Sequence, residues 1–236
     1  MPVLLLARGD QESKALLRRA IEARYGLGPP VLETLKLQFK GRARTKLGPV
    51  TAWVPLEVRA YFKFGFSVRW DFVARPVGVA LSSGSEAFDG TVWRRRHSHD
   101  PVVSDDDAQQ VASMRARLWI INALLLTPLG DHFVELKATG ERSFEATHRE
   151  MRLTARLRLN ADDTLEVAEI ECLNPATDKI QTYAIRPSDG QTLVGSLILP
   201  RKISFAWDHQ TEVELTPTQA ESNLPLNDSL FRLEGN

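Results

Sequence analysis

Polar and apolar positions change their period along this chain, and each change marks an element. Between Asp10 and Arg24 the apolar residues Leu16, Leu17, Ala20 and Ile21 recur at helical spacing with charge on the other faces, which predicts an amphipathic helix. Asp10 is a good N-cap for it, and Gly26 to Pro30 ends it. From Leu35 the period becomes two: Leu35, Leu37, Phe39, Gly41 and Ala43 alternate with Lys36, Gln38, Lys40, Arg42 and Arg44, and Lys46 continues the second set. That predicts a half-buried strand with a basic outer face. Alternation recurs over 56–64 and 68–72, and Asp89-Gly90 signals a tight turn between Phe88 and Val92. Residues 94–107 break the register and read as a polar loop. A second helix is expected from Ser104, which has capping-box spacing to Asp107. It becomes apolar almost all round at 118–126, so its second half should be buried before Thr127-Pro128 stops it. Period two then returns at 134–138 and 151–159. A turn at 160–164 follows, then further strands at 165–173, 181–186, 193–199, 203–207 and 212–216.

About eleven such strands, with one N-terminal helix and one mid-chain helix, predict an α+β fold in which a single antiparallel sheet curls around something. No internal repeat or low-complexity linker divides the chain of 236 residues, so one domain over 1–236 is expected, with 1–9 as a flexible lead-in. Thirty basic against thirty acidic residues leave no net charge, which makes nucleic acid an unexpected partner. The single cysteine, Cys172, rules out an internal disulfide and any multi-cysteine metal site, and its place in a strand pattern predicts a buried, inert thiol. The run Met1 to Arg8 is too short for a signal peptide and lacks preceding basic residues. A cytoplasmic location is therefore expected as the chain is written, and a periplasmic or envelope location if Leu4 to Ala7 is the tail of a longer segment. The longest apolar run, Leu118 to Leu126, is about half of what a bilayer-spanning helix needs.

Candidate chemistry is sparse. Gly26-Leu27-Gly28-Pro29-Pro30 follows a helix rather than a strand, which argues against a dinucleotide fingerprint. Ser82-Ser83-Gly84-Ser85 lacks the frame of a nucleophile elbow and reads as a polar turn. His97-x-His99, with Asp100 and Asp105 to Asp107, has the residue types of a metal loop but reads better as a solvated one. Arg94-Arg95-Arg96 reads as a soluble strand end, and Asp131-His132 and His148-Arg149-Glu150 as ordinary surface groups. No catalytic residue, cofactor or metal is indicated. The basic face of Lys36, Lys40, Arg42, Arg44 and Lys46 spans about 33 Å. It either pairs with acidic residues of a neighbouring strand or meets an acidic partner or phospholipid headgroups. The aromatics Trp53, Phe64, Phe66, Trp70, Phe72, Phe88, Trp93, Trp119, Phe205 and Trp207 fall on strands or on the buried helix, where they either fill a solid core or line a cavity.

The segment Phe66-Ser67-Val68-Arg69-Trp70-Asp71-Phe72, followed by Phe88-Asp89-Gly90-Thr91-Val92-Trp93, resembles the bacterial lipoprotein-carrier family of LolA type. Leu199-Pro200-Arg201-Lys202-Ile203 and the stretch Asn223 to Phe231 resemble the endings of related lipoprotein-sorting domains. The order and spacing of these motifs carry the likeness over most of the chain. It implies a curved, open half-barrel of about eleven strands, with a mid-chain plug helix over an apolar cavity that receives acyl chains. Phe62, Phe64, Trp70, Phe72, Trp93, Leu118, Ile121, Leu125, Phe205 and Trp207 are then the expected cavity residues. Phe64-Gly65 stands where such carriers have a basic residue and a proline, so their lid latch is not expected here. The implied function is non-catalytic binding or carriage of a lipid, a lipoprotein acyl chain or another apolar ligand. The alternatives are a partner-binding accessory protein using the sheet edge or basic face, and a cofactor-free enzyme, since the fold type also resembles a small enzyme of violacein biosynthesis.

Overall fold

A computed structural model of the chain describes residues 5–47, 49–75, 82–98 and 100–233, without the side chain of Leu47. Among the described residues, one open sheet of fourteen strands carries the fold, in the order β1-β8-β9-β10-β11-β12-β13-β14-β2-β3-β4-β5-β6-β7. The ranges are β1 Arg8–Gly9, β2 Thr34–Leu47, β3 Val50–Lys63, β4 Ser67–Ala74, β5 Ser82–Phe88, β6 Trp93–His97 and β7 Val103–Asp105. The second half supplies β8 Val134–Gly140, β9 Ser143–His148, β10 Leu153–Leu159, β11 Leu165–Asn174, β12 Lys179–Val194, β13 Leu197–Trp207 and β14 Gln210–Ser222. Every pairing is antiparallel except that of β1 with β8.

This is the expected α+β half-barrel, with more strands than the alternation signalled and with one parallel pair. Residues 82–85 are strand rather than turn, and 93–97 and 103–105 are strands rather than loop. Gly84 is opposite Phe72 in the register, and a Cβ there would sit 2.6 Å from the Phe72 ring. The missing side chain thus lets an aromatic lie across β5. The segment read as one strand over 193–199 instead contains a turn at Gly195-Ser196: its start completes β12, where a register shift between Ser188 and Gln191 absorbs Asp189-Gly190, and its end opens β13, which continues through 203–207. The N-terminal lead-in is also built in: Ala7 is buried and Arg8–Gly9 pair with Glu135–Leu136, while residues 1–4 lie outside the described set.

Helix α1 spans Gln11–Tyr25, and Asp10 caps it by accepting a hydrogen bond from the Ser13 backbone N–H at 2.7 Å. Helix α2 spans Ala108–Leu125, starting later than expected because Asp107 is itself the N-cap, accepting from the Gln109 and Gln110 backbone N–H groups. Its place follows from connectivity. Strand β7 is at one sheet edge and β8 lies beside the other, so the chain between them must cross the sheet. Eighteen helical residues cover about 27 Å of that crossing. The helix packs on β10, β11, β12 and β6 and buries Leu118, Trp119, Ile120 and Leu124. Among the described residues, no helix is long and apolar enough to cross a membrane.

Polar side chains of α2 fix it in this place. Ser113 Oγ donates to the Leu173 carbonyl, Arg115 donates twice to the Gly90 carbonyl, Trp119 Nε1 donates to the Ala146 carbonyl, and Asn122 Nδ2 reaches the Gly65 carbonyl at 3.5 Å. At the other end, Arg24 and Tyr25 of α1 donate to the carbonyls of Leu124 and Leu125. These are among the carbonyls a helix C-terminus leaves without intrahelical partners.

Candidate functional site: an apolar cavity on the concave face

Side chains at alternate positions of β2, β3 and β4 point to the concave side, where α2 leaves them partly uncovered. The space left there is a cavity of about 510 Å³. One wall is Leu35, Leu37 and Phe39 of β2 with Leu56, Val58, Ala60 and Phe62 of β3 and Trp70 and Phe72 of β4. The facing wall comes from Tyr183, Leu199, Ile203, Phe205, Trp207, Val213 and Leu215, and α2 adds Arg117, Ile121, Leu124 and Leu125. Large apolar groups such as Leu56, Val58, Trp70, Phe205, Trp207 and Val213 are only partly buried although they lie on the inner face.

Of the expected cavity residues, Phe62, Trp70, Phe72, Ile121, Leu125, Phe205 and Trp207 line this space. Phe64 does not: it lines a second cavity of about 610 Å³. Trp93 and Leu118 do not line the concave cavity either and lie in the packed core, both 3% exposed. The sequence reading missed Leu35, Leu37, Val58, Leu199 and Val213, whose signal was their place on the apolar side of alternating strands. It also missed the polar part of the lining, which includes Glu86, Arg117, Tyr183 and Glu212. Burial pushes the Tyr183 phenol up to about 12.

The second cavity lies where Leu5, Leu6, Pro29, Pro30 and Phe64 meet Asn122, Asp131, His148 and Glu150. His148, read as a surface group, is instead 6% exposed, with the rings of Phe66, Trp119 and Phe133 centred 5.4, 5.3 and 4.7 Å away. Burial lowers its pKa, opposed by the charge of Glu150. With polar and charged groups at its rim, this space is less suited to an apolar ligand than the concave cavity.

Other candidates resolve into structure. Asp89 closes the β5–β6 turn, accepting from the Thr91 and Val92 backbone, from Thr91 Oγ1, and from Arg94 at 2.7 Å. Burial would raise its pKa, but these hydrogen bonds outweigh it and hold the carboxyl well below the usual range. His97 Nε2 lies 3.3 Å from Ser82 Oγ, and its supposed co-ligand His99 falls outside the described residues. Among the described residues, no group of three or more His, Cys, Asp or Glu side chains is arranged to hold a metal ion. Cys172 is buried, and burial pushes its thiol up to about 11. On the basic face, Lys36 pairs with Glu221 at 2.6 Å, and Arg42 pairs with Glu214 at 2.7 Å while lying over the Trp53 ring. Lys40, Arg44 and Lys46 are exposed.

No protein-family model and no curated protein sequence matches the chain. Solved structures do. A DUF1329 family protein from Desulfovibrio piger is similar at a TM-score of 0.51 and 10% identity, covering 94% of this chain and 98% of that one. A LolA superfamily protein from Nitrosomonas europaea is similar at a TM-score of 0.50 and 11% identity, over 93% and 96% of the two chains. The open curved sheet with its plug helix is thus the fold of LolA-like proteins, and this chain is a divergent example of that fold.

Proposed function

We propose that the protein binds or carries a lipid, an acyl chain or another apolar ligand in the concave cavity, without catalysis. The observation that carries this reading is the row of half-buried apolar side chains around about 510 Å³ of space on the inner face of the sheet. A folded chain ordinarily closes such a gap, because interiors pack densely and an empty apolar space forfeits contacts. An acyl chain that enters regains roughly 0.8 kcal/mol per buried CH₂. The volume lies within the roughly 300–1,000 Å³ of small-molecule sites. A carrier of this kind works where acyl chains are exchanged, so the cell envelope is the expected location rather than the cytoplasm.

The test is a titration with the fluorescent probe 11-(dansylamino)undecanoic acid against wild type and Val58→Trp. Val58 lines the cavity and is only partly buried, so added bulk fills the space without opening the core. Saturable binding by the wild type that drops at least tenfold in the variant, with unchanged circular dichroism, is expected. Equal binding by both proteins would place the ligand elsewhere.

A further inference from the structure

The lining of the cavity is apolar except for a few groups, and one of them lacks a partner that its chemistry requires. Arg117 projects from α2 one turn before Ile121, and both residues line the cavity. Its guanidinium lies 5.3 Å from the centre of the Trp93 ring, and one terminal nitrogen reaches only the thioether of Met114, at 3.7 Å. Its Nε is buried with no hydrogen-bond partner. A thioether is a weak acceptor, and a half-buried guanidinium with a buried Nε ordinarily finds an anion or another strong acceptor.

The acidic groups of the same lining do not fill that role. Among the described residues, neither Glu86 nor Glu212 comes within 4.0 Å ion-pair distance of Arg117, and Glu212 accepts instead from Gln210 Nε2 at 2.8 Å. The planar fork of arginine matches a carboxylate or a phosphate with two parallel hydrogen bonds, and here it lies beside the Trp93 ring.

We propose that the occupant is an amphiphile with an anionic head, its carboxylate or phosphate seated on Arg117 and its tail along the β2–β4 wall. This rests on the apolar-cavity reading and adds the charge of the head. The experiment is displacement of the neutral probe N-phenyl-1-naphthylamine by four competitors: palmitate, palmitoyl lysophosphatidate, methyl palmitate and hexadecyltrimethylammonium. Wild type should bind palmitate or the lysophosphatidate at least about tenfold more tightly than methyl palmitate, the range expected of a charge-assisted hydrogen bond. The better of the two anions distinguishes a fatty acid from a phospholipid source. Arg117→Met should bring the affinities for the acids and for methyl palmitate together, while Arg117→Lys keeps part of the preference. Equal affinity for acid and ester, or a preference for the cation, overturns the anionic head and leaves the cavity reading standing. Failure of all four to displace the probe from wild type overturns both.

Discussion

Two residues show how local chemistry sets the response to pH. Met151 donates its backbone N–H to His148 Nδ1 at 3.4 Å, an acceptor role that requires the unprotonated nitrogen. Burial among aromatics lowers this histidine's pKa, so the unfolded chain takes up its proton first as pH falls. Stability should therefore be full above the ordinary histidine value of about 6.5 and decline as pH drops through it. Urea melts at pH 7.5 and 5.5 should show that decline, and His148→Phe should flatten it. Asp89 works at lower pH with the same sign. Its carboxyl is depressed in the folded state, so its contribution is present above about pH 4 and lost as acid protonates it. Asp89→Ala removes a turn that four hydrogen bonds close, and we expect a loss of about 1–3 kcal/mol in urea denaturation.

At the scale of elements, α2 decides whether there is a cavity, and α1 helps to decide where α2 sits. Arg24 is 4% exposed and donates to the carbonyl of Leu124 at the end of the plug helix. Arg24→Met should cost about 1.5–3 kcal/mol in urea denaturation, the worth of a charged hydrogen bond. Both helices were legible from spacing and caps, although Asp107 rather than Ser104 caps α2. The long alternating strands were equally plain. Other strands were hidden by their composition, each for its own reason. Strand β9 alternates Phe144, Ala146 and His148 inward, and the histidine reads as polar until its aromatic surroundings are known. Strand β5 is serine and glycine at its start because Phe72 of the neighbouring strand supplies the apolar cover. Strands β6 and β7 lie at a sheet edge, where Arg95 pairs with Asp105 and charge replaces the apolar alternation.

For the whole molecule, the consequence of an open sheet is an interior that one helix only partly fills. Period two identifies which side chains face inward, and that made part of the cavity wall, such as Phe62, Trp70, Phe72, Phe205 and Trp207, readable in advance. It cannot say whether inward-facing residues touch one another or leave a gap, because that depends on how far the sheet curls and which strands α2 covers. Phe64, Trp93 and Leu118 show the limit: all have cavity chemistry, yet Phe64 lines the other space and the remaining two are core. Arg117 shows it from the opposite side, as a charge on a mostly apolar helix that linear pattern gave no reason to single out. The central claim is that the concave space holds an apolar ligand. Native mass spectrometry of the freshly purified protein, followed by solvent extraction and lipid analysis, tests it most directly. The account predicts a bound species of lipid mass that leaves on extraction and is absent from Val58→Trp, whereas a clean apoprotein that also ignores added acyl probes would contradict it.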